Sequence, residues 1–326
     1  MFRFKKKPEM MEEAENSMIS ENILSIILVF IIVFIIAFVL EGIYPSIIAY
    51  PDIKQTFIEN GIYDSGHRFS LKETVSLTMP ITSQEKIFIV SLFCTAFGTL
   101  TAIVHCRCVE GRSFGSMGMR KRKAVPHYLF GIFIGILLMT SIVLLSVLCG
   151  VNSISFCSNA DYGKILLFLG GFLFQGMSEE VIFRGYLMNS IGATQKIYLA
   201  ITVSAVAFSF AHAMNPGFGI LIFINLTLFG IFASLYIICF DDIWGACAIH
   251  SIWNFTQGNF YGISVSGSGN YESVFRTSSE SRYKILTGGD FGIEGSIFTT
   301  AVLLTAIFLV MIKINKNQSA DEKKDG

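Results

Sequence analysis

The sequence predicts an all-α fold, a polytopic bundle of about eight helices embedded in a membrane. Three observations lead there. Hydrophobic residues make up 52% of the chain and charged residues only 15%, where soluble domains carry about 25% charged residues. The apolar residues fall in long blocks instead of alternating with polar ones. Ionisable side chains inside those blocks are confined to a few of the later ones.

Taken in order, the blocks predict spans at 23–40, 87–104, 128–151, 165–187, 197–214, 218–240, 243–260 and 297–312. Each is near the length a spanning helix needs, and in lipid the backbone must satisfy its own hydrogen bonds, so each is read as a helix. Pro126 opens the third. Asn215-Pro216-Gly217 closes the fifth, and Asp241-Asp242 closes the sixth. The turns from fifth to sixth and sixth to seventh are short, which predicts antiparallel neighbours. The basic groups lie in the N-terminal tail (Arg3, Lys5, Lys6, Lys7), in the 107–123 segment, and at Lys313, Lys316, Lys323 and Lys324. Positive residues stay in the cytoplasm, and an even number of spans puts all three groups on that side. The 45–86 and 259–294 loops then face outward, the second rich in Gly and Ser and expected to be mobile in part. The expected organisation is an N-terminal tail (1–22), two accessory spans (23–125), a membrane core (126–314) and a charged, disordered tail (315–326).

Several classes are excluded. A cleavable signal does not fit, because Glu12, Glu13 and Glu15 precede an apolar run too long for one. Nucleic acid binding would need a basic domain or stripe, and the net charge is zero. Seven cysteines without a CxxC pair argue against a disulfide framework or a zinc knuckle. Gly111-Arg-Ser-Phe-Gly115 matches GxSxG but has no strand before it, so it is a chance match. There is no HExxH and no Gly-rich phosphate loop.

Ionisable groups inside spans are expensive and mark function by default. Span four carries Glu179, Glu180 and Arg184, span five Phe208 and His212, span seven His250 and Asn254. Glu180 and Arg184 are four apart and share a helix face, as do Phe208 with His212 and His250 with Asn254. Glu179 points about 100° away from Glu180, so one carboxylate can pair with Arg184 while the other faces a cavity. Taken singly, Glu180–Arg184 reads as a buried packing pair, and the histidines and Asn254 as polar glue between helices. Glu179 has no matching basic partner and has the character of a general base. Glu179, His212 and His250 also make a minority zinc alternative; otherwise no cofactor is expected.

The three motifs resemble those of the CAAX protease and bacteriocin-processing family, the type II CAAX prenyl endopeptidase group: EExxxR, FxxxH and HxxxN on separate membrane helices, in that order. The resemblance covers 126–260, and the 287–296 segment is similar to one that precedes the last helix in bacterial members. It implies an intramembrane peptidase of glutamate type. Glu179 would activate water, His212 would help hold it, and His250 with Asn254 would stabilise the oxyanion. Glu180, Arg184 and Phe208 would support them. The implied partners are the bilayer and a membrane-associated or lipid-anchored peptide or protein, with leader processing or bacteriocin self-protection as roles. Two other classes stay open: a non-catalytic scaffold, and a proton-coupled transporter, which would carry inverted repeats. No oligomeric state is implied.

Overall fold

The computed structural model describes residues 4, 6–61, 70–82, 84–279 and 282–325; Arg3 and Lys5 of the N-terminal basic group lie outside them. The chain is mostly helical. In order it forms α1 (Glu9–Glu15), α2 (Ile23–Glu59), α3 (Leu71–Thr82), α4 (Glu85–Cys94), α5 (Ala96–Val104), α6 (Ala124–Leu148), β1 (Asn152–Phe156), α7 (Tyr162–Glu180), α8 (Asn189–Thr194), α9 (Ile197–Ala211), α10 (Ile220–Phe240), α11 (Trp244–Phe255), β2 (Phe275–Ser279), α12 (Lys284–Thr287) and α13 (Ile297–Asp325).

Among the described residues six helical stretches are long and apolar enough to cross a membrane: Ile23–Glu59, Glu85–Val109, Ala124–Leu148, Tyr162–Thr194, Ile220–Phe240 and Ile297–Ala320. The two other expected spans are shorter. The α9 helix has 15 residues, and α11 has 12 followed by a π-helical turn at Thr256–Phe260. The expected eight are therefore six full-length spans and two short helices. The surface of the first span shows why the chain is so apolar. Along α2 only one stripe (Ile26, Phe30, Val33, Ala37) is buried within that apolar run, while Leu28, Ile32, Ile35 and Phe38 stay exposed. That pattern suits lipid, which satisfies apolar side chains without burying them in protein.

Several boundaries differ from the sequence reading. Asn22 caps α2 by accepting from the Leu24 N–H at 2.9 Å, but the helix does not stop at Leu40. It continues through Glu41, Pro45 and Pro51 to Glu59, because one carboxylate is a weak helix breaker and Ile43, Tyr44, Ile47 and Ile48 keep the stretch apolar. Most of the described part of the expected 45–86 loop is helical (α2, α3). The N-terminal tail is partly folded. Met10, Met11 and Ala14 of α1 are buried, the Met10 N–H donates to Asp241 Oδ1 at 3.2 Å, and Arg120 donates to Glu9 and Glu13 at 2.9 and 2.7 Å. At the other end α13 runs on to Asp325 where a disordered tail was expected. On the opposite face, β1 and β2 pair antiparallel, from Asn152↔Ser279 to Phe156↔Phe275, and add a small ribbon to the helical fold.

The core sits among α6, α7, α9, α10 and α11. The α9–α10 hairpin packs as antiparallel neighbours, as the short turn requires, whereas α11 lies mainly against α6 and α7 and only lightly on α10. Between α7 and α8 the chain makes a π-helical segment, Val181–Met188, every residue of it buried. Such segments free carbonyls from the regular ladder. Arg112, 1% exposed, donates to two of them, Gly185 O at 3.0 Å and Tyr186 O at 3.4 Å, and to Ser190 Oγ at 2.9 Å. Ser204 of α9 donates to Phe183 O at 2.7 Å. Arg112 thus holds the fold together from inside what reads as a basic surface loop. Its neighbour Ser113, in the GxSxG match, donates to Glu13 Oε2 at 2.6 Å and accepts from the Ser116 N–H, both structural contacts.

Candidate active site

Glu179 and Glu180 end the α-helical part of α7, directly before the π-helical segment. Their adjacent positions send them different ways. Glu180 is wholly buried and accepts from Arg184 Nη1 at 3.0 Å, the pairing that the four-residue spacing predicts. The same Oε1 lies 2.8 Å from His250 Nδ1. Glu179 faces a cavity of about 400 Å³, and its Oε2 has no hydrogen-bond partner among the described residues. It stands 3.7 Å from His250 Nε2 and 4.0 Å from His212 Nε2.

The match in depth between Glu179 and His212 comes from the hairpin between their helices. The α7–α8 rod extends to Thr194, fifteen residues past Glu179 (194 − 179), and α9 starts at Ile197, fifteen before His212 (212 − 197). Two antiparallel helices counted equally from one turn place those residues at one level. Ending span four at 187 would misplace them.

Phe208 ties the motifs together. Its carbonyl oxygen lies 2.9 Å from His212 Nδ1. Its ring lies under the Arg184 guanidinium at 4.5 Å and meets the His212 and His250 rings at 4.9 and 5.8 Å. Phe229 closes the other side of His250 at 5.0 Å. Asn254 Nδ2 donates to Gln175 Oε1 at 2.8 Å, and Gln175 Nε2 donates to Glu179 Oε1. Helices α7 and α11 approach closely because position 176 is glycine: a β-carbon there would stand 2.5 Å from the Ser251 nitrogen.

All seven side chains picked from the sequence converge on this region. Three more were missed. Gln175, one turn before Glu179, was legible as an i,i+4 neighbour. Glu41 lies directly after the expected end of the first span at Leu40. Glu294 arrives from the loop before α13, where it accepts from the Ser266 N–H at 2.8 Å, Ser266 Oγ at 3.2 Å and Gln257 Nε2 at 3.2 Å. Glu294 lines a small space with His212, His250 and Asn254, and burial pushes its carboxyl above the ordinary range. The set Glu179, His212 and His250 is drawn together only loosely. Among the described residues no group of three His, Cys, Asp or Glu is arranged to hold a metal ion.

A multi-pass helical membrane protein with a buried carboxylate–imidazole–amide cluster is the class that the fold and site define. Residues 161–256 match the family model described as type II CAAX prenyl endopeptidase Rce1-like. All three motifs fall inside that segment, so the resemblance read from them holds there, and the matched family is one of CAAX-type membrane endopeptidases. Comparison with curated proteins and with solved structures finds no match.

Proposed function

We propose that the chain is an intramembrane endopeptidase that hydrolyses peptide bonds of membrane-associated or lipid-anchored peptides, with both termini in the cytoplasm. The observation that carries this reading is the unpartnered Glu179 Oε2, facing two imidazole Nε2 atoms at 3.7 and 4.0 Å beside an open cavity. Those gaps are too long for direct hydrogen bonds and suit a bridging water.

His212 donates its Nδ1 proton to Phe208 O, which leaves the Nε2 lone pair to accept from the water. Glu179 takes the water's other proton as its oxygen attacks the scissile carbonyl. The developing oxyanion meets His250 Nε2–H and the amide of Asn254. Glu180 holds the His250 ring by Nδ1. Glu179 then returns the proton to the leaving amine as the C–N bond breaks. Donors fixed in a dry site need no reorganisation when charge develops.

The test uses full-length protein in lipid nanodiscs with lipid-anchored peptides, cleavage read by mass spectrometry. Wild type cuts and Glu179→Gln does not, while its yield of folded protein is retained. Equal activity of the two in the cell would favour a scaffold. Ion or solute flux in proteoliposomes would favour a transporter. Metal analysis with activity after chelation decides the zinc version.

A further inference from the structure

We propose that Glu41, on the first membrane helix, binds a basic side chain of the substrate, so that the peptide cut at Glu179 carries a lysine or arginine close to the scissile bond. This rests on the proteolytic reading above and names its substrate class.

Because α2 continues to Glu59, Glu41 lies inside the helix and not at its end. A carboxylate within a membrane helix is costly unless it faces a partner or a hydrated cavity. Glu41 has no salt-bridge partner among the described residues. It lines the same 400 Å³ cavity as Glu179 and Asn254, a volume within the range of small-ligand sites. Among the described residues no lysine or arginine lines that cavity.

A second observation lies beside the carboxylate. A β-carbon on Gly98 of α5 would collide with Glu41 Oε1 and stand 2.6 Å from Ser178 Oγ. The glycine therefore opens the place where the carboxylate rests, next to that hydroxyl. Ser178 is 1% exposed and its Oγ has no hydrogen-bond partner among the described residues. Unmade hydrogen bonds at buried oxygens are expensive. An ammonium or guanidinium, rich in donors and lacking acceptors, matches the Glu41 carboxylate in charge as well as hydrogen bonding, whereas a neutral donor matches it in hydrogen bonding alone. Phe38, Pro45, Ile87 and Phe88 line the same cavity and offer apolar wall to the methylene stem of Lys or Arg. In these low-dielectric surroundings the ion pair is stronger than in water. An aliphatic or prenyl chain alone would leave the Glu41 carboxylate without a counter-charge.

The experiment uses full-length protein in nanodiscs and short N-palmitoylated peptides that differ at one position, Lys, Arg, norleucine, Gln or Glu, moved stepwise along the peptide. Retained peptide and cleavage products are both quantified by mass spectrometry. Lys and Arg peptides are expected to bind and be cut at least about tenfold better than the norleucine peptide at one position near the cut. Glu41→Gln should bring that ratio close to one, and Glu41→Asp should retain part of it. A ratio unchanged in Glu41→Gln, or no basic preference in the wild type, overturns the proposal. Basic peptides held through Glu41 but never cut would leave this site standing and defeat the peptidase reading. Cutting without basic preference would do the reverse, and neither binding nor cutting would overturn both.

Discussion

Glu180 and His250 are joined at 2.8 Å through the imidazole Nδ1, while the other nitrogen of that ring turns toward Glu179 at 3.7 Å. Two successive carboxylates thus flank one histidine: Glu180 bonds to it and pairs with Arg184, while Glu179, held by Gln175, faces the cavity without a direct bond to the ring. Each carboxylate should fail in its own way when changed.

Glu179→Gln keeps the shape of the side chain and its link to Gln175 but removes the base. Hydrolysis of a lipid-anchored peptide should fall by roughly 10²–10⁴-fold, with the thermal unfolding of the purified protein little changed. A variant that keeps near wild-type kcat/KM would remove Glu179 from the chemistry.

Arg184→Leu leaves Glu180 buried without its guanidinium partner. Breaking a buried pair from one side costs about 3–5 kcal/mol, so the folded yield in detergent should drop sharply. Changing Glu180→Gln in the same chain should restore part of it, as measured by thermal unfolding. Failure of the double variant to recover would mean that stacking of Arg184 on Phe208 at 4.5 Å carries the effect instead.

Asn254→Ala removes an amide that faces the cavity and bonds Gln175 at 2.8 Å. Loss of one oxyanion donor costs about 10²–10³-fold in kcat, and KM should change much less. A rise in KM at constant kcat would assign Asn254 to substrate binding.

Asp241 sits where α1 docks, and burial pushes its carboxyl from 3.8 up to about 6. The folded state therefore holds the proton more tightly than the unfolded chain does. That contribution is fully present below the unfolded value and is lost as pH rises through about 6. Thermal stability should decline across this window, and Asp241→Asn, which still accepts from the Met10 N–H, should flatten the decline. An equal slope in both proteins would show that another group titrates there.

The sequence made some of this legible and hid the rest for identifiable reasons. Four-residue spacing on a helix is strict geometry, so the Glu180–Arg184 pair and the sharing of faces by Phe208 with His212 could be read directly. Hydrogen-bond register is not carried by hydropathy. The π-helical segment at Val181–Met188 was therefore invisible, and with it the reason why Arg112 is buried. The expected first span ends at Leu40, directly before Glu41, although a helix tolerates one carboxylate when the flanking residues remain apolar. Glu294 lies in a Gly-rich loop without periodicity, so nothing local showed that it folds back toward His212 and Asn254.

The turn between Thr194 and Ile197 acts as the common origin from which two arms of the site are measured. An extra residue inserted within α9 would rotate His212 by about 100° and raise it by about 1.5 Å, leaving Glu179 opposite an apolar side chain. The same insertion inside the turn itself would lengthen the link and leave both helices in phase. In this fold, tolerance to length change is set by whether the change falls in a helix or in the bend that joins two of them, far from any reacting atom.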